Sequence, residues 1–188
     1  AWATLEGLSH FELSGKTIGL IGGRGLIGSK VSEMARIFGM KVLVSSRSSK
    51  PCEGATVVSL EELLRQSDFV SIHCPLNEET RKSIGEEQFA LMKPTSFLIN
   101  TARGGIINES ELCDALEKDE IAGAGLDVQE NEPPAPDSRL WQLAQKNAIL
   151  TPHIGWQRRE TRQRLVDSVA SNIEHFLKGE PQNVVNSS

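Results

Sequence analysis

What this chain has little of narrows its class before any motif is considered. Only three cysteines occur, Cys52, Cys74 and Cys113, widely spaced and without a CxxC or Cys/His pattern. Neither a disulfide framework nor a metal site is expected of them, and they read as reduced thiols of a cytosol-like compartment. No apolar run approaches the roughly 20 residues that cross a bilayer, and no signal-peptide pattern is present, so a cytoplasmic protein without a membrane role is expected. No basic tract suggests nucleic acid: the net charge is −5, with acidic and basic residues interspersed, and that balance by itself favours no partner. Repeats and low-complexity segments are missing too, as is an initiator Met ahead of Ala1. What remains is ordinary for a globular domain: 188 residues, 38% apolar and 24% charged, enough chain for one sizeable core.

The most informative stretch is residues 16–30, KTIGLIGGRGLIGSK, an apolar run that breaks into glycines and resumes with helical spacing. Ile18, Leu20 and Ile21 read as a buried strand, Gly23-x-Gly25-x-x-Gly28 as a tight turn, and Val31, Met34, Ala35 and Phe38 as the inner face of the helix that follows. Strand, glycines, helix is the order a dinucleotide pyrophosphate requires. No Cβ obstructs its approach, and the free N–H groups of the helix face its charge, with Leu26 and Ile27 beside it. The alternative is a glycine turn that merely packs a helix tightly on a sheet.

Downstream, strand and helix alternate. Residues 41–45 form a second strand, and its polar tip Ser46-Arg47-Ser48 stands where an acidic residue would bind the ribose 2′-hydroxyl of NAD. Hydroxyls and a guanidinium suit a 2′-phosphate, so NADP is expected first and NAD second; a plain solvated loop is the other reading. Residues 55–59 give a short strand, and Ser59 caps a helix with Glu62 at the capping-box position. Residues 68–75 form a strand ending at His73, Cys74 and Pro75. Residues 86–92 give a short helix, 96–100 a buried strand, and Asn108 caps a helix through Lys118 that buries Leu112, Ala115 and Leu116. Residues 123–128 and 148–153 read as two further strands. The last helix, 158–178, carries Leu165, Val166, Val169, Ala170, Ile173, Phe176 and Leu177 on one face, which calls for a packing partner. The alternation predicts an α/β, Rossmann-type, doubly wound and mostly parallel sheet with helices on both faces.

Three ionisable residues fall at or just after predicted strand ends: Arg103, Glu132 and His153. Singly, each would pass for a surface ion pair or a satisfied core residue. Placed together after a dinucleotide turn, they match what a 2-oxo acid needs. Arg103 would bind the carboxylate and polarise the ketone, and protonated His153 would donate to the carbonyl oxygen as hydride reaches the carbon. An ionised Glu132 nearby would raise the histidine pKa above its ordinary value of about 6.5.

The strings GKTIGLIG from Gly15, NTARGG from Asn100, GLDV from Gly125, Glu132-Pro133 and TPHIG from Thr151 resemble the D-2-hydroxyacid dehydrogenase family, specifically its cofactor-binding domain, over nearly the whole chain. The resemblance implies catalytic roles for Arg103, Glu132 and His153. It also implies nicotinamide contact from Asp127, a nicotinamide pocket lined by Thr101, Ala102 and Gly155, and an adenosine side lined by Cys74, Pro75 and Thr80. A homodimer and a small 2-oxo acid or 2-hydroxy acid substrate follow from the same source. So does a division in which residues 1–14 lead in from a substrate domain absent from this chain, residues 15–156 bind dinucleotide, and residues 157–188 turn back toward that domain. Ser46-Arg47-Ser48 and Trp156 are similar to glyoxylate/hydroxypyruvate reductases. The alternative in another class is a nucleotide-sensing dimeric scaffold resembling the C-terminal-binding corepressors; a degenerate binder with no dinucleotide is a third. Two departures stand out. The glycine turn is one residue longer than the family pattern, leaving open whether Gly22 or Gly23 leads it, and Gln129 replaces the usual aromatic, a change expected in packing more than chemistry.

Overall fold

The apolar runs become strands where the pattern places them, but the strands are shorter. The computed structural model describes residues 11–47 and 51–185, and the chain divides into two units, Ala1–Pro152 and His153–Ser188. In the first unit seven strands form one sheet: β1 (Thr17–Ile21), β2 (Lys41–Ser45), β3 (Thr56–Val57), β4 (Phe69–Ile72), β5 (Phe97–Asn100), β6 (Gly123–Leu126) and β7 (Ala148–Leu150). Their spatial order is β3-β2-β1-β4-β5-β6-β7, and every pair is parallel. The helices are α1 (Leu26–Ile37), α2 (Leu60–Gln66), α3 (Glu86–Phe89), α4 (Glu109–Glu117) and α5 (Leu140–Leu143). From β1 the chain winds outward through β2 and β3, then returns to start β4 on the other side. That reversal opens a crevice at the C-terminal ends of β1 and β4, where open α/β sheets hold their ligands.

Strand alternation sorts the core into two layers. Ile18, Leu20, Val42 and Val44 turn one way and pack with Ala35 of α1. Leu43, Val70 and Ile72 turn the other way and join Leu63 and Leu64 of α2, Phe89, Leu98, Leu112 and Leu116 in the larger cluster. Each fully buried leucine contributes about 1.5–3 kcal/mol by leaving water.

Two local expectations fail for identifiable reasons. The buried face of α1 is Gly28, Ser32 and Ala35, whereas Met34 and Phe38 are 52% and 61% exposed. A Cβ on Gly28 would lie 2.6 Å from Gly23 Cα; the helix rides so low on the glycine turn that only small residues fit beneath it. Asn108 does stand at the N-cap of α4, but its side chain makes no capping hydrogen bond. The acids of that first turn reach outward instead: Glu109 accepts the Glu130 N–H and Glu111 the Glu86 N–H. Ser59 caps α2 as expected, accepting the Glu62 N–H at 3.1 Å. The four-residue α5 has no counterpart in the sequence reading.

The second unit is built on α6 (Arg159–Leu177). Its C-terminus closes through Gly179 at φ +79°, with the Gly179 N–H on Phe176 O and the Glu180 N–H on His175 O. Gln182 and Asn183 fold back to bond Ser171 and Asn172. Among the described residues, Leu165, Val166, Val169, Ile173, Phe176 and Leu177 of the α6 apolar stripe are exposed.

Candidate functional site

The glycine turn uses both of the residues between which the sequence left the choice. Gly22 turns the chain off β1 with φ +77°. Its N–H donates to Ser45 O at 2.8 Å, and its carbonyl accepts the Gly25 N–H at 3.0 Å. A Cβ there would come within 2.7 Å of the Cys74 backbone, so the ends of β1 and β4 meet at this point. Gly23 is packed beneath, where a Cβ would lie 2.7 Å from Leu20 Cβ and 2.9 Å from Val44. Gly25 differs from both. As N-cap of α1 it has an ordinary φ of −69°, and a Cβ there would meet nothing nearer than Gly22 O at 3.4 Å. The face above Gly25 is open, and the first turn of α1 holds no acidic side chain, which is the cradle a pyrophosphate fits.

Two clefts flank this turn and share His73, Cys74 and Pro75. One, of about 610 Å³, is lined among others by Gly22, Gly25, Ser46, Arg47 and Thr80. The other, of about 660 Å³, is lined by Leu26, Ile27, Leu76, Thr101, Ala102 and Arg103. Residues expected at the adenosine and nicotinamide ends therefore lie on successive stretches of one groove. Gly23 and Gly28 lie under the turn and support it without lining it. Ser48 falls outside the described residues. Thr80 spends its hydroxyl on Pro75 O at 2.7 Å and on the Asn77 N–H at 2.9 Å, so it shapes the loop there.

Charge is unevenly spread along the groove. Arg47 is largely solvent-exposed and only 3.9 Å from Glu79, a pair too loose to hold it. Arg24 lines the same cleft and donates to Pro51 O at 3.2 Å, which puts a second guanidinium at this end. The reading of the sequence passed over Arg24, although the extra residue in its turn was the available signal. At the centre, burial lowers the His73 pKa and raises that of Cys74, favouring a neutral ring and a protonated thiol. His73 Nε2 lies 3.0 Å from Ser71 Oγ.

The Arg103 loop is fixed by a residue the sequence reading treated only as a strand end. Asn100, fully buried, accepts the Ala102 N–H and donates to Arg103 O, each at 3.0 Å. The Arg103 guanidinium also bonds Ala102 O at 2.6 Å. Next door the Asp127 N–H donates to Asn100 O at 3.0 Å, and its carboxylate accepts the Thr151 hydroxyl. The Glu132 carboxylate accepts the Gln129 N–H at 3.1 Å. Gly104 lies so close to the Gln129 carbonyl that any Cβ would collide with it. The loops carrying Arg103 and Glu132 are thus packed together at the C-terminal edge of β5 and β6. Asp127 and Glu132 line neither of the two clefts. His153, at φ +51°, and Gly155 belong to the second unit.

A seven-stranded parallel sheet with a glycine cradle at its reversal defines a dinucleotide-binding Rossmann-type domain. The chain belongs to the family described as D-isomer specific 2-hydroxyacid dehydrogenase, NAD binding domain, which matches residues 1–155. It is 45% identical over 178 residues to a hydroxypyruvate reductase of Blautia hydrogenotrophica, covering 93% of this chain and 54% of that protein. It is also 45% identical over 181 residues to a glyoxylate reductase of Thermococcus litoralis, with coverages of 94% and 54%. The chain thus spans about half the length of the curated relatives it matches. Among solved structures it is similar to the TT0316 protein of Thermus thermophilus, with TM-score 0.90 and 41% identity over 99% of this chain and 58% of that one. Two others hold cofactors. An acyclic imino acid reductase is in complex with NADPH and D-Arg (TM-score 0.85, 38% identity, 96% and 59% covered). A D-lactate dehydrogenase of Aquifex aeolicus is complexed with NAD and lactic acid (TM-score 0.86, 34% identity, 95% and 58% covered).

Proposed function

We propose that the protein carrying this chain is an oxidoreductase that interconverts small 2-oxo acids and D-2-hydroxy acids, of the glyoxylate/hydroxypyruvate reductase kind, and that it prefers NADP to NAD. The observation that carries the reading is the groove itself: it runs from Ser46 and Arg47, past the glycine cradle, to Thr101, Ala102 and Arg103. A dinucleotide held over Gly22 and Gly25 would supply or accept the hydride. Arg103 binds the substrate carboxylate through its planar guanidinium and orients the carbonyl. His153 gives the carbonyl oxygen its proton, and Glu132 is the acidic member of the same catalytic set. Asp127 contacts the nicotinamide carboxamide. The NADP preference rests on the sequence Ser46-Arg47-Ser48 that follows β2 and carries no carboxylate of its own, with Arg24 adding positive charge to the cleft that Arg47 lines.

In this reading residues 15–156 form the cofactor-binding part, and residues 1–14 and 157–188 connect it to the part that completes the substrate site. The protein works as a cytoplasmic homodimer, a state that the exposed Met34, Ile37 and Phe38 of α1 favour. The corepressor alternative is not favoured, since the curated relatives named above are reductases.

The test is a fluorescence titration with NADPH and NADH, followed by assay of the full-length protein with glyoxylate, hydroxypyruvate and pyruvate. Tighter NADPH binding and turnover of at least one acid are expected. Equal or tighter NADH binding defeats the cofactor preference. His153→Ala should abolish most turnover while leaving cofactor affinity near wild type; turnover that survives assigns the proton to another group.

A further inference from the structure

We infer that Gln129 is a positioning residue for the reaction, tying the Glu132 loop to the end of β7 through its buried carboxamide. The inference rests on the proposed role of Glu132. Gln129 is 7% exposed, and its Nε2 reaches two carbonyls from different strands, Leu126 O at 3.3 Å and Thr151 O at 3.4 Å. Leu126 O also takes the Thr151 N–H at 2.9 Å, so both of its acceptor directions are used. One carboxamide therefore fastens β6 to β7 immediately beyond their last paired residues, Leu126 and Leu150.

The backbone of the same residue faces the chemistry. Its N–H donates to Glu132 Oε1 at 3.1 Å, and its carbonyl is pressed against Gly104, one residue after Arg103. Beyond it, the Glu130 N–H donates to Glu109 at 2.9 Å and its carboxylate pairs with Lys82 at 2.8 Å. Those outer bonds are largely solvated, whereas the carboxamide bond to Leu126 O is buried and that to Thr151 O partly so, and a shielded bond is the costlier to lose. A side chain of equal size without the donor would fill the space, remove this hydrogen bond from Thr151 O and leave Leu126 O with the Thr151 N–H alone. The peptide N–H that holds the Glu132 carboxylate would then be free to rotate. A carboxylate out of place costs the reaction far more than it costs the fold, because rate depends steeply on the position of reacting groups.

The experiment uses the full-length protein with two variants. Gln129→Met keeps the shape and loses the donor; Gln129→Asn keeps the amide but falls one methylene short of both carbonyls. Steady-state kinetics with NADPH and the preferred 2-oxo acid are read beside NADPH affinity, melting temperature and amide hydrogen exchange of residues 127–133. Both variants should lose about tenfold or more in kcat, keep KM and NADPH Kd within roughly threefold, and exchange faster over residues 127–133. Turnover within about twofold of wild type in either variant overturns the proposal. So does a fall of kcat and melting temperature accompanied by a parallel rise of KM and Kd, or failure of both variants to fold, because each marks a purely structural residue. If wild type reduces no 2-oxo acid, the proposed reaction is wrong, and exchange alone then decides the tether: unchanged exchange overturns it and faster exchange upholds it.

Discussion

Asn100 and Arg103 are joined by a side chain-to-backbone hydrogen bond, Nδ2 to carbonyl, at 3.0 Å, while the same Asn100 amide accepts the intervening Ala102 N–H at 3.0 Å. One buried amide at the end of β5 thus sets the backbone that carries the guanidinium. Asn100→Ala removes both bonds, leaving the Ala102 N–H without its side-chain acceptor and Arg103 O with the Ile106 N–H as its remaining donor. The variant should lose about 2–4 kcal/mol of stability, read as a lower urea midpoint with an unchanged slope. In the full-length protein it should also raise the KM for the 2-oxo acid. A midpoint at the wild-type value would mean that the loop holds its shape without Asn100.

The glycines of the cradle separate folding from binding. Gly28→Ala drives a methyl to 2.6 Å from Gly23 Cα and 2.9 Å from Gly22 O, backbone atoms that must move, so a loss of about 1–3 kcal/mol or more is expected. Gly25→Ala adds its methyl where the nearest of these atoms is 3.4 Å away, at a φ any residue adopts. Its stability should stay within about 0.5 kcal/mol of wild type, while dinucleotide affinity falls steeply because the methyl occupies the pyrophosphate face. Thermal denaturation and NADPH titration of the two variants give the check. Unimpaired NADPH binding by Gly25→Ala would place the pyrophosphate elsewhere.

Much of this arrangement was legible in the residues, and where it was not the reasons are physical. The parallel order follows from alternating apolar runs, and Arg103 and Glu132 do follow strand ends. Met34 and Phe38 misled because apolar periodicity marks a face but not how near the helix axis comes to the sheet. Gly28, Ser32 and Ala35 make the approach too close for large side chains, which turns the large ones outward. Asn100 and Gln129 escaped for other reasons: a strand-end amide does not announce that it will bond the Ala102 N–H and Arg103 O of its own loop, and Gln129 meets Thr151 only because the fold brings together residues 22 positions apart. Gly22 was visible as a candidate, but only its positive φ and its proximity to Cys74 settle its part in the turn.

Arg47 and Glu79 line one cleft, 3.9 Å apart at their nearest charged atoms and largely solvated. An approaching 2′-phosphate would outbid a carboxylate held so loosely. Arg47→Glu reverses the local charge and should weaken NADPH binding about 100-fold or more, while NADH binding changes by less than about threefold. Equal losses for the two cofactors in fluorescence titrations would show that Arg47 does not read the phosphate.

At the opposite end of the sheet from the cradle, Asp68 holds the start of β1, accepting the Thr17 N–H at 2.8 Å, and pairs with Lys93 at 2.8 Å. Partial burial opposes the charged form. Lys93, the Thr17 N–H and the positive charge of Lys16 outweigh it and keep the carboxyl below its ordinary range. The unfolded chain therefore binds the proton more readily than the folded one. The resulting stability is complete above the unfolded value of about 4 and is lost as pH falls through that value toward the lower folded one. Asp68→Asn keeps an acceptor for Thr17 but gives up the charge, and should cost about 1–2 kcal/mol at neutral pH. Urea denaturation of wild type and variant, compared at about pH 7 and again near pH 3.5, should show the gap narrowing on acidification. A gap of the same size at both values would mean that the charge on Asp68 contributes nothing beyond its hydrogen bond to β1.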